Sequence, residues 1–335
     1  MQVISEQQFW NSCSTDNKND IINTIWEARK ASTVEKYCFA IRRFKNYCSE
    51  NQIPLILPID SLTIANYLVY ISKTYGTKGA TNDAVCGLKW LNTFIPGLNS
   101  QNDPMKEEFL SRISQSCNRD LAKMKIRKKP LTDEILKLII KNFLELKKPS
   151  LLQLRNTLIP CLAYSLLLRH DEISHINMLH ISKTDLGLKI LIPSSKTDTF
   201  RQGKYVFLSK EISDVYNLFF RYTKMAQLGY TKNHFLFCPI VFSPKSKKFS
   251  LKNAKLSYDV YRNIVKEAVS SLGIDPTEYS THSCRSGGAT ALADKVTQFE
   301  LMLTGRWSDP RSIGSYVETS DEKRFEISSY LGFNN

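Results

Sequence analysis

Acidic residues are the scarce class in this chain of 335 residues. There are 32 Asp and Glu against 46 Lys and Arg, a net charge of +14 and a pI of about 9.3. A chain so short of acid favours a polyanionic partner, without choosing among DNA, RNA and an anionic membrane. Paired cysteines are also missing. Cys13, Cys38, Cys48, Cys86, Cys117, Cys161, Cys238 and Cys284 are scattered without a C-x-x-C, which argues against a disulfide framework or a cysteine metal site and for reduced thiols. Long apolar runs are absent. The longest, Leu158 to Leu168, contains Pro160 and falls well short of the roughly 20 residues that cross a bilayer, so it reads as a buried helix. Met1 to Glu6 leads into no basic and then apolar segment, so no secretory signal is visible. A soluble, intracellular protein with no membrane partner is expected. Histidine is rare, five in all. His170, His175 and His180 gather near Asp171 and Glu172, but spacings of five put successive histidines on different helical faces and no H-E-x-x-H occurs. No metal is expected.

What is present divides into two halves. Ser32 and Glu35 have capping-box spacing, followed by Val34, Tyr37, Cys38, Ile41 and Phe44 at helical intervals. Ile21, Ile22, Ile25 and Trp26 predict a leading helix. Ile64, Tyr67, Leu68 and Ile71, then Val85, Leu88 and Leu91, then Phe109, Leu110, Ile113 and Cys117 predict others, with Tyr75-Gly76 as a turn. Residues 1–125 are therefore read as a helical bundle. Lys123, Lys125, Arg127, Lys128 and Lys129 crowd ahead of Pro130, as suits an exposed linker or a strap across a phosphate backbone.

Beyond it, Thr132 can cap a helix through Phe143, and a second helix is predicted from Leu151 to about Leu168. Leu188 to Pro193 and Tyr205 to Leu208 read as a hairpin around a polar loop that holds Lys196. Helical patterns resume at Ile212 to Leu218 and at Tyr258 to Leu272, the second after a Lys-rich loop around Lys245, Lys247, Lys248, Lys252 and Lys255. The fold class is mainly α with a small β-sheet (α+β).

The segment from Ser280 to Thr290, Ser-Thr-His-Ser-Cys-Arg-Ser-Gly-Gly-Ala-Thr, puts His282 and Arg285 at a helix start. An arginine in the first turn faces the positive end of the helix dipole, which an anion bound there would reverse. Gly287 and Gly288 each cost about 1 kcal/mol against alanine inside a helix. They suggest close approach by another backbone or by a ligand, with phosphate the obvious candidate.

Downstream stand Gly305-Arg-Trp307 and Ser315-Tyr316, and upstream Leu168-Arg169-His-Asp-Glu172. In order and spacing this set resembles the signature of tyrosine recombinases, the family of phage-type integrases with Cre- and Flp-like catalytic domains. The wording His-Ser-x-Arg-Ser-Gly-Gly-Ala-Thr with Gly-Arg-Trp is most similar to recombinases of eukaryotic mobile elements, DIRS-like or Crypton-like. The resemblance covers Lys128 to the C-terminus and implies a catalytic domain over 126–335. Residues 1–125 resemble the family's SAM-like core DNA-binding domain.

It also implies the roles. Tyr316 attacks the phosphate, Arg169 and Arg285 clamp it, His282 assists proton transfer and Trp307 fills a position taken by histidine or tryptophan. Lys196, or less readily Lys204, donates the leaving-group proton. Glu172, or Asp171 if the register slips, braces the fold. The residue types suit the reaction. Guanidiniums stabilise the extra charge on an attacked phosphodiester without deprotonating. A phenol of pKa about 10 must lose its proton as it attacks. The phosphotyrosine link keeps the energy of the broken bond, so no cofactor is expected.

The resemblance implies double-stranded DNA as partner and a homotetramer on two sites, in the nucleus if the source is eukaryotic and otherwise in the cytoplasm, nucleoid or a virus. A recombinase-derived DNA-binding protein that no longer cuts and a type IB topoisomerase are the competing readings. The tail from Val317 carries Phe325, Ile327, Tyr330, Leu331 and Phe333 at near-helical spacing. It packs either on its own domain or on a neighbouring protomer.

Overall fold

Apolar stripes and polar caps build the first half as expected. The computed structural model describes residues 18–95, 98, 101–121, 127–193, 203–243 and 248–330, and the chain divides into two units, 1–125 and 126–335. In the first, α1 (Lys18–Glu27), α2 (Ala31–Glu50), α3 (Ser61–Tyr75), α4 (Lys78–Asn92) and α5 (Glu108–Asp120) form a bundle. Phe44, Tyr67, Leu68, Ile71 and Leu88 fill its core. Asp60 caps α3 by accepting from Thr63 N at 2.8 Å, and Gly76 ends it in the left-handed conformation at φ +57°, which glycine adopts without steric penalty. The expected capping box at Ser32 does not form. The helix starts earlier, with Lys30 at the N-cap and its carbonyl accepting from Thr33 N and Val34 N, so Ser32 lies inside the first turn.

The second unit is organised around α7 (Leu151–Ser165), which is apolar nearly all round and buried through Leu154, Leu158, Ile159, Cys161 and Leu162. Such a helix belongs in the middle of a domain. A Ser150–Gln153 capping box starts it. It stops short of the expected Leu168, because Leu167 turns left-handed at φ +48° and Leu168 N returns to Ala163 O at 2.9 Å. Arg169 is therefore not the end of an apolar helix. It is the N-cap of a separate short one, α8 (His170–Ser174).

Around α7 pack α6 (Asp133–Leu144), α9 (Ser213–Met225), α10 (Tyr258–Ser270) and α11 (Ser283–Ala293), with Thr132 capping α6 as predicted. Three antiparallel strands, β1 (Ile181–Thr184), β2 (Gly187–Ile192) and β3 (Lys204–Ser209), form the main sheet with β2 in the centre. The predicted hairpin is β2 with β3, pairing Leu188 with Leu208 and Ile190 with Val206. A second ladder of β4 (Ile240–Ser243) and β5 (Lys248–Leu251) replaces part of the Lys-rich loop: Lys248 begins a strand. The chain continues through α12 (Gln298–Gly305), a 3-10 turn at Pro310–Ser315 and α13 (Asp321–Ser329). No helix among the described residues is long and apolar enough to cross a membrane.

The two glycines of α11 have a structural cause. A Cβ at Gly287 would overlap the Leu131 carbonyl oxygen, and one at Gly288 would overlap that of Tyr164. Backbone, not phosphate, occupies the space. On one side Leu131 N also donates to Ser283 O at 2.8 Å, so α11 is clasped between the segment entering α6 and the end of α7.

Candidate active site

Glu172 is the hub of the site. It is 1 % exposed, and its Oε1 accepts from Arg169 Nη1 at 2.7 Å while Oε2 accepts from Arg169 N at 2.9 Å and Arg306 Nη2 at 2.8 Å. Arg285 Nη1 stands 3.8 Å from the same Oε2. Burial alone would raise the Glu172 pKa. The Arg306 guanidinium first, then the Arg169 amide, Arg285 and the Arg169 side chain, more than offset it, and the carboxyl is held below its usual value. Three guanidiniums thus surround one carboxylate. That excess of positive charge in a low-dielectric setting favours an incoming anion.

Arg285, in the first turn of α11 as predicted, points inward. Its side chain is fully enclosed. The guanidinium donates to Leu167 O, just past the end of α7, and to Gly305 O at the end of α12, at 2.5 Å for the latter. Carbonyls at helix C-termini carry the partial negative charge that a cation seeks. Burial and then Arg169 push its pKa down to about 9, against the opposing pull of Glu172. Its Cζ lies 4.4 Å from the Trp307 ring centre and 5.0 Å from that of Tyr316.

Tyr316 is part-buried at the end of the 3-10 turn, its N donating to Ile313 O at 2.7 Å. Thr290, on α11, ties it down: its Oγ1 donates to Tyr316 O at 3.4 Å and accepts from Glu318 N at 3.0 Å. The Tyr316 ring lies 5.3 Å from Trp307 and 6.1 Å from His282, centre to centre. His282 is exposed at the N-cap of α11, whereas Trp307 is buried beneath. Arg169 reaches the rim, its side chain 14 % exposed. The fold therefore brings Arg169, Glu172, His282, Arg285, Trp307 and Tyr316 to one place. Lys196 lies outside the described residues, and Lys204 is exposed at the start of β3. Asp171 is exposed on α8, where its carboxylate pairs with His175, so the carboxylate buried among the arginines is Glu172.

Of the basic linker, Lys123 and Lys125 lie outside the described residues. The other three are exposed and touch their own domain: Arg127 donates to Gly314 O, Lys128 to Thr277 O and Lys129 to Glu278. The histidine trio is dispersed among local contacts. His170 packs edgewise on Tyr258 and Tyr261, His175 meets Asp171 and Lys255, and His180 accepts from Asn177 N. Among the described residues no three His, Cys, Asp or Glu side chains are grouped to hold a metal ion.

Two residues of the site lie inside the quoted motifs but take no role from the sequence. Thr290 is one. Arg306 is the other, 2 % exposed and left-handed at φ +57°, with its guanidinium on Leu166 O, Thr304 O, Leu167 O and Glu172. It stands inside the recognised Gly-Arg-Trp, but burial of an arginine is set by tertiary packing.

No protein-family profile matches the chain. Over 297 residues, 87 % of this chain and 83 % of the relative, it is 23 % identical to the "integrase/recombinase xerD homolog" of Selenomonas ruminantium. It is 26 % identical over 176 residues, 51 % of each protein, to the "recombinase cre" of Escherichia phage P1. Among solved structures, the XerH site-specific recombinase in a post-cleavage complex with a palindromic difH substrate superposes with a TM-score of 0.64. That match has 16 % identity and covers 98 % of this chain and 90 % of that one. The fold is shared over nearly the full length with the XerH recombinase, and the XerD homolog aligns across both units, so the chain is similar to tyrosine recombinases in fold and in sequence.

Proposed function

We propose that the protein is a site-specific DNA recombinase or integrase that cleaves and rejoins strands through a 3′-phosphotyrosyl intermediate on Tyr316. The observation that carries the reading is the placement of the Tyr316 ring against Arg285, Trp307 and His282, with Arg169 at the open edge. The Tyr316 oxygen attacks phosphorus, a bond to it forms, and the bond to the 5′ oxygen breaks. The phenolic proton passes to His282 or is released into the field of the arginines, and the leaving 5′ oxygen gains one, from Lys196 in this reading. Reversal by a 5′ hydroxyl of another strand rejoins the DNA without a nucleotide or metal cofactor.

Arg169 meets the phosphate directly. Arg285 reaches it by exchanging the Leu167 and Gly305 carbonyls for phosphate oxygens. Until then its guanidinium lies against the Tyr316 ring, 5.0 Å from its centre. Duplex DNA as the partner is supported by the basic balance of the chain and by solved relatives bound to DNA, among them the XerH complex and a lambda integrase dimer bound to a COC′ core site. The basic run from Lys123 to Lys129 is its proposed backbone contact. A protein that only binds DNA has no use for a tyrosine held in this way.

The reading is tested with nicked duplexes tiled across the DNA flanking its coding sequence, in excess EDTA. Covalent protein–DNA product is expected. Its absence on every duplex counts against the reading, and a loss that zinc restores returns the histidines to consideration.

A homotetramer on two duplexes is the proposed assembly. α13 has no buried residue, and Phe325, Ile327 and Tyr330 are 77 %, 51 % and 70 % exposed, an apolar surface left open to solvent, while Leu331 and Phe333 lie outside the described residues. Deleting the residues after Arg324 is expected to leave DNA binding and single-site cleavage intact but to lower strand exchange at least about tenfold, the loss of some 1.4 kcal/mol of association. An insoluble truncation favours packing on the same chain, and normal strand exchange by a soluble one rules out the tail as the assembly element.

A further inference from the structure

Arg306 makes more contacts in the site than any reacting group requires. It occupies the left-handed position that ends α12, where glycine is the usual residue and a side chain at φ +57° is strained. Something must offset that strain. The guanidinium is enclosed and its two terminal nitrogens, though not its buried Nε, are bonded: Nη1 to Leu166 O at 3.2 Å and Thr304 O at 2.8 Å, Nη2 to Leu167 O at 2.8 Å and Glu172 Oε2 at 2.8 Å. Two of those partners, Glu172 and the Leu167 carbonyl, also hold the two phosphate-side arginines. Glu172 Oε1 holds Arg169, and Leu167 O is shared with Arg285.

Arg306 itself is 2 % exposed and sits behind Glu172, so it is not a group that meets DNA. We propose that Arg306 is the positioning residue of this site, fixing the Glu172 carboxylate and the Leu167 carbonyl so that one buried fork sets the direction of both Arg169 and Arg285. A lysine cannot replace it. An ammonium is a point charge with three donors and does not reach four separate acceptors, whereas the guanidinium fork does.

The inference rests on the recombinase reading, and its test separates the two. Single-turnover capture of a nicked duplex, DNA affinity and thermal unfolding are measured for wild type, Arg306→Met, Arg306→Lys, Arg169→Ala and the corresponding double variants. Arg306→Met is expected to cut capture about 100-fold, as misplaced reacting groups do, with DNA affinity changed less than about threefold. Arg306→Lys is expected to recover little of it.

The decisive arm is the combination with Arg169→Ala. Because Arg306 acts in part through Arg169, Arg306→Met is expected to cost clearly less on top of Arg169→Ala than the roughly 100-fold it costs alone, the remainder being its effect through Arg285. A purely structural role predicts losses that multiply, and that result overturns the inference. Should Arg306→Met fail to fold, Arg306→Lys carries the same cycle, and wild-type capture by Arg306→Lys likewise overturns it. A wild-type protein that captures no duplex overturns the recombinase reading and this inference with it.

Discussion

Phenylalanine in place of Tyr316 is expected to abolish covalent DNA capture while leaving duplex affinity within about twofold, because one oxygen is lost from a site whose charge and shape remain. The ring packs on Trp307 at 5.3 Å and under the Arg285 charge at 5.0 Å, and phenylalanine keeps both contacts. The backbone ties to Thr290 and Ile313 use main-chain atoms, so they persist too. Gel-resolved covalent product from a nicked duplex and an equilibrium binding titration on the same preparation check it. Undiminished capture by the variant moves the nucleophile to another residue.

The second large effect is expected at Glu172. Glu172→Ala removes the carboxylate on which Arg169, Arg285 and Arg306 converge and leaves enclosed guanidiniums without a counter-charge, a change that costs about 3–5 kcal/mol in other buried pairs. Cleavage is expected to vanish with it. Arg169→Ala is the control: its side chain reaches the rim, so it should lose about 10²–10³ in cleavage rate with a much smaller loss of stability. The pH dependence carries a sign. The Glu172 carboxyl is depressed in the folded chain, so its contribution is complete above the unfolded value near 4.5 and is lost as pH falls through the lower, folded one. The stability gap between wild type and Glu172→Ala should therefore be widest near neutrality and narrow in acid. Denaturant unfolding at several pH values measures it, and a gap that widens on acidification contradicts the assignment.

The fold was legible where periodicity is strong. Stripes such as Ile64, Tyr67, Leu68 and Ile71 could face only a core, and Thr132 before an apolar run could only begin a helix. β1, β4 and β5 were not legible, because four-residue strands such as Ile-Ser-Lys-Thr hold too few alternations to separate from loop. The end of α7 was missed for another reason. Leu166, Leu167 and Leu168 continue the apolar pattern, and the left-handed turn at Leu167 is imposed by Arg285 and Arg306 binding the freed carbonyls, groups more than a hundred residues away.

The same distance hid part of the site. His282, Arg285 and Tyr316 were visible as residue types in order, but the inward turn of Arg285 and the convergence on Glu172 depend on which carbonyls lack partners, and only the folded chain decides that. Gly287 and Gly288 were legible as a close approach, and the approaching group turned out to be backbone.

That clasp gives the site unequal mechanical character. Without room for a single methyl between α11 and its neighbours, the jaw bearing Arg285 is a stiff anvil. The opposite jaw rests on a 3-10 turn, the small cluster around Ile313 and Trp307, and the bonds of Thr290 and Arg127. Any pull exerted through α13 on the residues before it is therefore expected to be taken up on the tyrosine's side of the vice, in the largely exposed stretch from Ser308 to Ser320, and not in α11.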